Sequence, residues 1–272
     1  MRYTILDPTG NVTALVESAH AIDAQPRVAD AIMEGHPEVE QVGFVSYAGM
    51  EPGVDVGMRM AGGEFCGNAT MSVAAWFAER KLALSTGDEV SVVVRVSGTD
   101  RPLEVRLRRE GAGFYTAAVL MPEALSHEVL ELAFEGVSAR VPLVLMQGIS
   151  HLIIEADCDL FSLLETPGAA EAAVRQFAGE IGSDGLGLMF LRHEGSERAL
   201  RPLVFVPGAD TCFWERSCAS GTSACGMLEA SHRGAAVDVS FSEPGGILRV
   251  TSEAGGQTWL YGRVREMERC EL

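Results

Sequence analysis

Lysine is almost missing from this chain of 272 residues. Lys81 is the sole example, and every other side chain in the Lys+Arg count is arginine. A pyridoxal phosphate enzyme needs a lysine for its Schiff base, and Lys81 stands in a polar helix end, Glu79-Arg80-Lys81. No Gly-Lys-Ser or Gly-Lys-Thr sequence occurs, which excludes a P-loop. Positive charge is scarce altogether: 21 basic against 38 acidic side chains give a net charge of −17. The densest basic group is Arg106, Arg108 and Arg109, too small a footprint for nucleic acid. No run approaches the about 20 apolar residues of a membrane span. Residues 1–11 lack the apolar stretch of a secretory leader, so the cytoplasm is the expected location. Six cysteines occur without a Cys-x-x-Cys pair, which reads as reduced thiols. No organic cofactor and no metal are expected, because close ligand spacing is absent.

What is present is a globular chain of one large or two smaller domains, with 47% hydrophobic residues. Alternating apolar patterns predict strands over 1–6, 41–47, 54–60, 90–96, 103–108 and 114–121. A second set covers 140–146, 152–155, 186–192, 200–206, 237–241, 246–251 and 259–265. Helical spacing predicts helices over 27–34, 68–80, 169–181 and 220–232. The order is not a regular βαβ alternation, so the class is α+β. The two halves also rhyme. Cys66-Gly67-Asn68-Ala69-Thr70 opens one helix, and Cys218-Ala219-Ser220-Gly221-Thr222 opens another roughly half the chain away. A duplicated domain is the simplest account.

A cysteine at a helix N-terminus faces unpaired N–H groups and the positive end of the helix dipole, which lower its pKa. The same N–H groups suit a carboxylate. Two such sites could share one amino acid, one cysteine removing the Cα proton as thiolate and the other returning one as thiol. Racemisation needs those two opposed groups. His151 and Glu215 are candidate acid/base supports for the thiols. Cys225 is an alternative second base, but Met227-Leu228-Glu229 beyond it offers no small-residue cradle, so Cys218 is preferred.

The run Met60-Ala61-Gly62-Gly63-Glu64-Phe65-Cys66-Gly67-Asn68 resembles the first cysteine motif of the diaminopimelate epimerase family. Glu215-Arg216-Ser217-Cys218-Ala219-Ser220-Gly221-Thr222 resembles the second, in the compact form of proline racemase relatives. Gly10-Asn11, the 148–151 stretch, Gly245-Gly246-Ile247-Leu248 and Tyr261-Gly262 are similar too, so the resemblance spans nearly the whole chain. It implies two pseudo-symmetric domains, each a β-barrel-like sheet around a central helix, with the active site in the cleft between them. The first would cover residues 1–122, completed by 263–272, and the second 123–262. It implies cofactor-independent epimerisation or racemisation by Cys66 and Cys218. Gly67, Asn68, Ala219, Ser220 and Gly221 would hold the substrate, and Asn11, His151 and Glu215 would line the site.

The chain has only two asparagines, Asn11 and Asn68, where a diaminopimelate site uses several. The family's Gly-Asn-Pro-His appears here as Gly148-Ile149-Ser150-His151. A distal carboxylate and ammonium would be buried without partners, which is strongly unfavourable. The stretch Glu40-Gln41-Val42-Gly43-Phe44 is similar instead to histidine racemases of opine-type metallophore synthesis. Glu40 is the first candidate for binding an imidazole N–H and Glu51 the second. Three readings stay open: a racemase of histidine or another amino acid, a diaminopimelate epimerase with a rewired pocket, and a binding or thiol–metal protein. The expected partner is a small-molecule amino-acid substrate. A homodimer is compatible with the sequence.

Overall fold

Each long predicted helix that begins at a cysteine is surrounded by β-strands, because small side chains let the strands come close. The computed structural model describes residues 1–47, 51–195 and 197–271. These form two compact units, Met1–Met121 with Trp259–Leu272, and Pro122–Thr258. Leu272, the last residue of the expected first domain, lies outside the described residues.

The first unit contains β1 (Arg2–Pro8), β2 (Thr13–Val16), β3 (Gln41–Ser46), β4 (Val56–Met60), β5 (Glu89–Val96), β6 (Leu103–Gly111), β7 (Phe114–Leu120) and β16 (Thr258–Glu271). They pair in that order, and β16 pairs back to β1, which closes an eight-stranded barrel. Helix α2 (Gly67–Lys81) packs on β1, β2 and β4 to β7. Its buried positions are mostly Gly, Ala, Ser and Thr, with Met71, Val73 and Trp76 filling the wider spaces. Arg80 and Lys81 in the last turn suit the negative end of the helix dipole. Arg80 also donates to Glu266 and Thr4, each at 2.9 Å.

Helix α1 (Gln25–Gly35) covers another face of the first strands, clustering Ala29 and Ile32 with Tyr3, Ile5, Ala14, Val16, Val42 and Phe44. Strand β2 is therefore buried at all four positions, so its sequence carries no strand alternation. The chain returns to the first unit at Trp259 rather than at 263, because Trp259 already pairs with Leu120.

The second unit contains β8 (Ser126–Phe134), β9 (Val137–Leu145), β10 (Ser150–Glu155), β11 (Leu186–Glu194), β12 (Glu197–Val206), β13 (Thr211–Trp214), β14 (Val237–Glu243) and β15 (Gly246–Ser252). The ladder runs β8-β9-β10-β11-β12-β14-β15, and β13 adds to β12. Helix α3 (Ala169–Ile181) crosses between the parallel strands β10 and β11 and packs on β11 and β12. Helix α4 (Ala219–Arg233) packs on β10, β11, β14 and β15. Strands β8 and β13 are additions to the sequence prediction. Glu128-Val129-Leu130-Glu131 breaks the alternation of β8, an end strand with mostly solvated side chains, and β13 is only four residues long.

Candidate active site

Cys66 caps the N-terminus of α2 in extended backbone, and its Sγ accepts the Ala69 N–H at 3.4 Å. Arg59 fixes the approach to this cap. Its Nη1 donates to Gln25 Oε1 and Met60 O, both at 2.9 Å, and to Ala61 O at 3.1 Å. Ser97 donates to Glu64 O at 2.8 Å from the β5 side. Burial raises the Glu64 carboxyl above its usual range, opposed by backbone hydrogen bonds and by Arg59. Gly67 and Asn68 are buried in the first turn of α2.

Asn11 and Glu40 come together in the same unit. Asn11 Nδ2 donates to Glu40 Oε2 at 2.7 Å, and Asn11 Oδ1 accepts from Gln41 Nε2. Gln41 also donates to Thr13 Oγ1 at 3.0 Å. Glu40 is half-buried and held by this amide pair. Glu51, the second candidate, is exposed and ion-paired with Arg95.

Cys218 holds the N-cap position of α4 in extended backbone, as Cys66 does on α2, but its side chain makes no capping hydrogen bond. Thr222 Oγ1 donates to Cys218 O at 2.6 Å, and Thr70 Oγ1 donates to Cys66 O at 2.7 Å, so both turns carry a threonine four residues on. Ala219, Ser220 and Gly221 are buried in the first turn of α4, with Ser220 Oγ 3.7 Å from Cys218 Sγ. A Cβ on Gly221 would stand 2.1 Å from Met189 Sδ and 3.2 Å from Cys218 Sγ. Glycine here leaves the Met189 side chain of β11 its place against α4.

The expectation that a helix N-terminus lowers both thiols is corrected at Cys218. Burial pushes this thiol well above its usual range, and the Glu215 carboxylate, hydrogen-bonded to it, pushes further. The Gly221 amide opposes the rise only in part. Desolvation of a sulfur anion outweighs the dipole here. Cys225 is also buried and raised, two turns further along α4.

His151 on β10 is fully buried, and neither ring nitrogen has a hydrogen-bond partner among the described residues. Burial drives it down to about 3, so the ring is neutral at physiological pH. The sequence reading missed Glu243, at the end of β14. Its Oε2 accepts the Cys218 N–H at 2.8 Å, and its Oε1 lies 2.5 Å from Thr222 Oγ1. The Glu243-Pro244-Gly245-Gly246 turn carried no signal that its acid would reach α4. Among the described residues no His, Cys, Asp and Glu cluster could hold a metal ion.

Comparison with known proteins gives the family. Residues 1–264 match the family described as histidine racemase CntK N-terminal domain. A histidine racemase of Staphylococcus aureus is 29% identical over 97% of this chain and 94% of that protein. A histidine racemase of Fusobacterium nucleatum subsp. nucleatum is 30% identical over 81% of this chain and 78% of its own length. In fold, the chain is similar to a probable proline racemase from Agrobacterium radiobacter K84 (TM-score 0.69, 12% identity, covering 100% of this chain and 92% of the other). The chain belongs to the histidine racemase family.

Proposed function

We propose that this chain interconverts L- and D-histidine without a cofactor, using Cys66 and Cys218 as a two-base pair. The observation that carries the reading is the repeated construction of two helices, each opened by a cysteine cap and locked by a threonine four residues later. In a histidine racemase family member, those are the groups suited to remove and return a Cα proton. Each first turn also offers backbone N–H groups to a substrate carboxylate.

The two thiols begin in different states. Cys218 is buried beside Glu215 and holds its proton. Cys66 Sγ accepts a backbone N–H, an arrangement that suits an anionic sulfur. Cys66 as thiolate takes the Cα proton of one enantiomer, and Cys218 as thiol delivers its own to the opposite face. The products are the other enantiomer, a Cys66 thiol and a Cys218 thiolate. The reverse direction exchanges the roles. Helix-terminal N–H groups stabilise the charge that develops on the substrate carboxylate.

Glu40, steadied by Asn11, accepts an N–H of the substrate imidazole, and neutral His151 hydrogen-bonds the substrate without changing charge. The two units act as the two pseudo-symmetric domains of a diaminopimelate epimerase-like enzyme. D-histidine would feed synthesis of an opine-type metallophore. The test is incubation of L-histidine, diaminopimelate and other L-amino acids with the reduced protein in heavy water. Deuterated D-histidine is expected. Exchange with diaminopimelate alone would replace the substrate, and no exchange with any amino acid would end the racemase reading.

A further inference from the structure

The corner between β14 and β15 grips the start of α4. Gly245 N–H donates to Arg216 O at 2.7 Å, and Cys218 N–H donates to Glu243 Oε2 at 2.8 Å, so bonds fall on both sides of Ser217. Thr222 then stands between two oxygens, Cys218 O at 2.6 Å and Glu243 Oε1 at 2.5 Å. A threonine hydroxyl has one proton. The carbonyl oxygen has none to give, so the helix contact uses the threonine proton, as Thr70 uses its own on Cys66 O. The contact with Glu243 therefore requires a proton from the carboxyl.

We propose that Glu243 is a positioning residue held as a neutral carboxylic acid, donating from Oε1 to Thr222 and accepting the Cys218 N–H on Oε2. Its kinetic consequence rests on the racemase reading; its protonation does not. Burial supports it, lifting this carboxyl to about 8 against the lowering effect of its Thr222 and Cys218 N–H contacts, with the nearby Glu215 charge adding to the rise. The titratable groups around it are Cys218 and Cys225 on α4 and Glu215 on the segment before α4. Arg198 on β12, beside the Ala199 that pairs with Ser242, is engaged by Glu229 at 2.7 Å. The groups within hydrogen-bond distance of the Glu243 carboxyl are the Cys218 N–H and the Thr222 hydroxyl. Glu215 already opposes a thiolate at Cys218. A second carboxylate would oppose it again, whereas a neutral acid keeps the same grip and adds no charge.

Glutamine reproduces this pattern, its carbonyl accepting from Cys218 N–H and its amide donating to Thr222. Glu243→Gln and Glu243→Leu are compared with the wild type for racemisation of histidine across pH, with folding checked by circular dichroism. Infrared difference spectra of the same proteins read the protonated-carboxyl band directly. Glu243→Gln is expected to keep kcat within about threefold at pH 7, while folded Glu243→Leu loses about tenfold or more in kcat with little change in KM. Wild-type activity should fall as pH rises through about 8, and Glu243→Gln should lose that step. The carboxyl band should be present in the wild type at pH 7 and missing in Glu243→Gln. Glu243→Gln as inactive as Glu243→Leu, an unaltered alkaline limb, or a wild type without the band would each overturn the proposal. If the wild type racemises nothing, the functional reading fails, and the infrared band alone decides the proton on Glu243.

Discussion

Gly187 stands opposite His151 on the adjacent parallel strand, and the side chain it lacks is the space the imidazole fills. A Cβ there would lie 2.4 Å from His151 Nδ1 and 2.6 Å from Met189 Cε. Met189 in turn meets α4 at Gly221, next to Cys218. Met189 thus lies between the missing methyl group and the first turn of α4. Gly187→Ala is expected to cost about 1–3 kcal/mol of stability by overpacking. It should also lower kcat. Urea unfolding with steady-state kinetics checks both, and a fully stable, fully active variant would contradict the packing argument.

The buried imidazole makes stability depend on acid. In the unfolded chain His151 binds a proton below about 6.5, but the folded protein resists it until about 3. Stability is therefore complete above pH 6.5 and falls as pH drops from 6.5 toward 3. Nitrogen chemical shifts of His151 should report a neutral ring at pH 5. A protonated ring at that pH would show that the site is wetter than described.

Cys66→Ala and Cys218→Ala should each abolish racemisation while leaving the fold intact. Cys225→Ala should stay active, because its thiol is buried two turns into α4. Chiral chromatography of histidine after incubation reads all three. Full activity in Cys218→Ala would sink the two-base assignment.

Glu40 and Glu51 separate cleanly by their surroundings. Glu40→Gln should weaken histidine binding by roughly 10-fold or more, the loss of one charge-assisted hydrogen bond. Glu51→Gln should leave KM unchanged, since Glu51 is an exposed partner of Arg95. Equal KM values for both variants would remove Glu40 from the substrate pocket.

Much of the frame was legible in the chain. The small-residue runs after Cys66 and Cys218 mark helices that neighbours approach closely, and both cysteines are helix caps. The long alternating strands were legible for the same reason, since periodicity within a few residues reports which face is buried. Strand β2 escaped because both its faces are covered, and β8 because little of it is buried.

By itself the sequence determined where the two cysteines stand on their helices, through short-range propensity and capping. Only the tertiary structure decided the proton affinity of Cys218, the neutrality of His151, and the different surroundings of Glu40, beside Asn11, and Glu51, beside Arg95. It alone brought Glu243 to the start of α4. Each of these depends on desolvation and on charges or amides supplied from distant parts of the chain, and such terms have no period along the sequence.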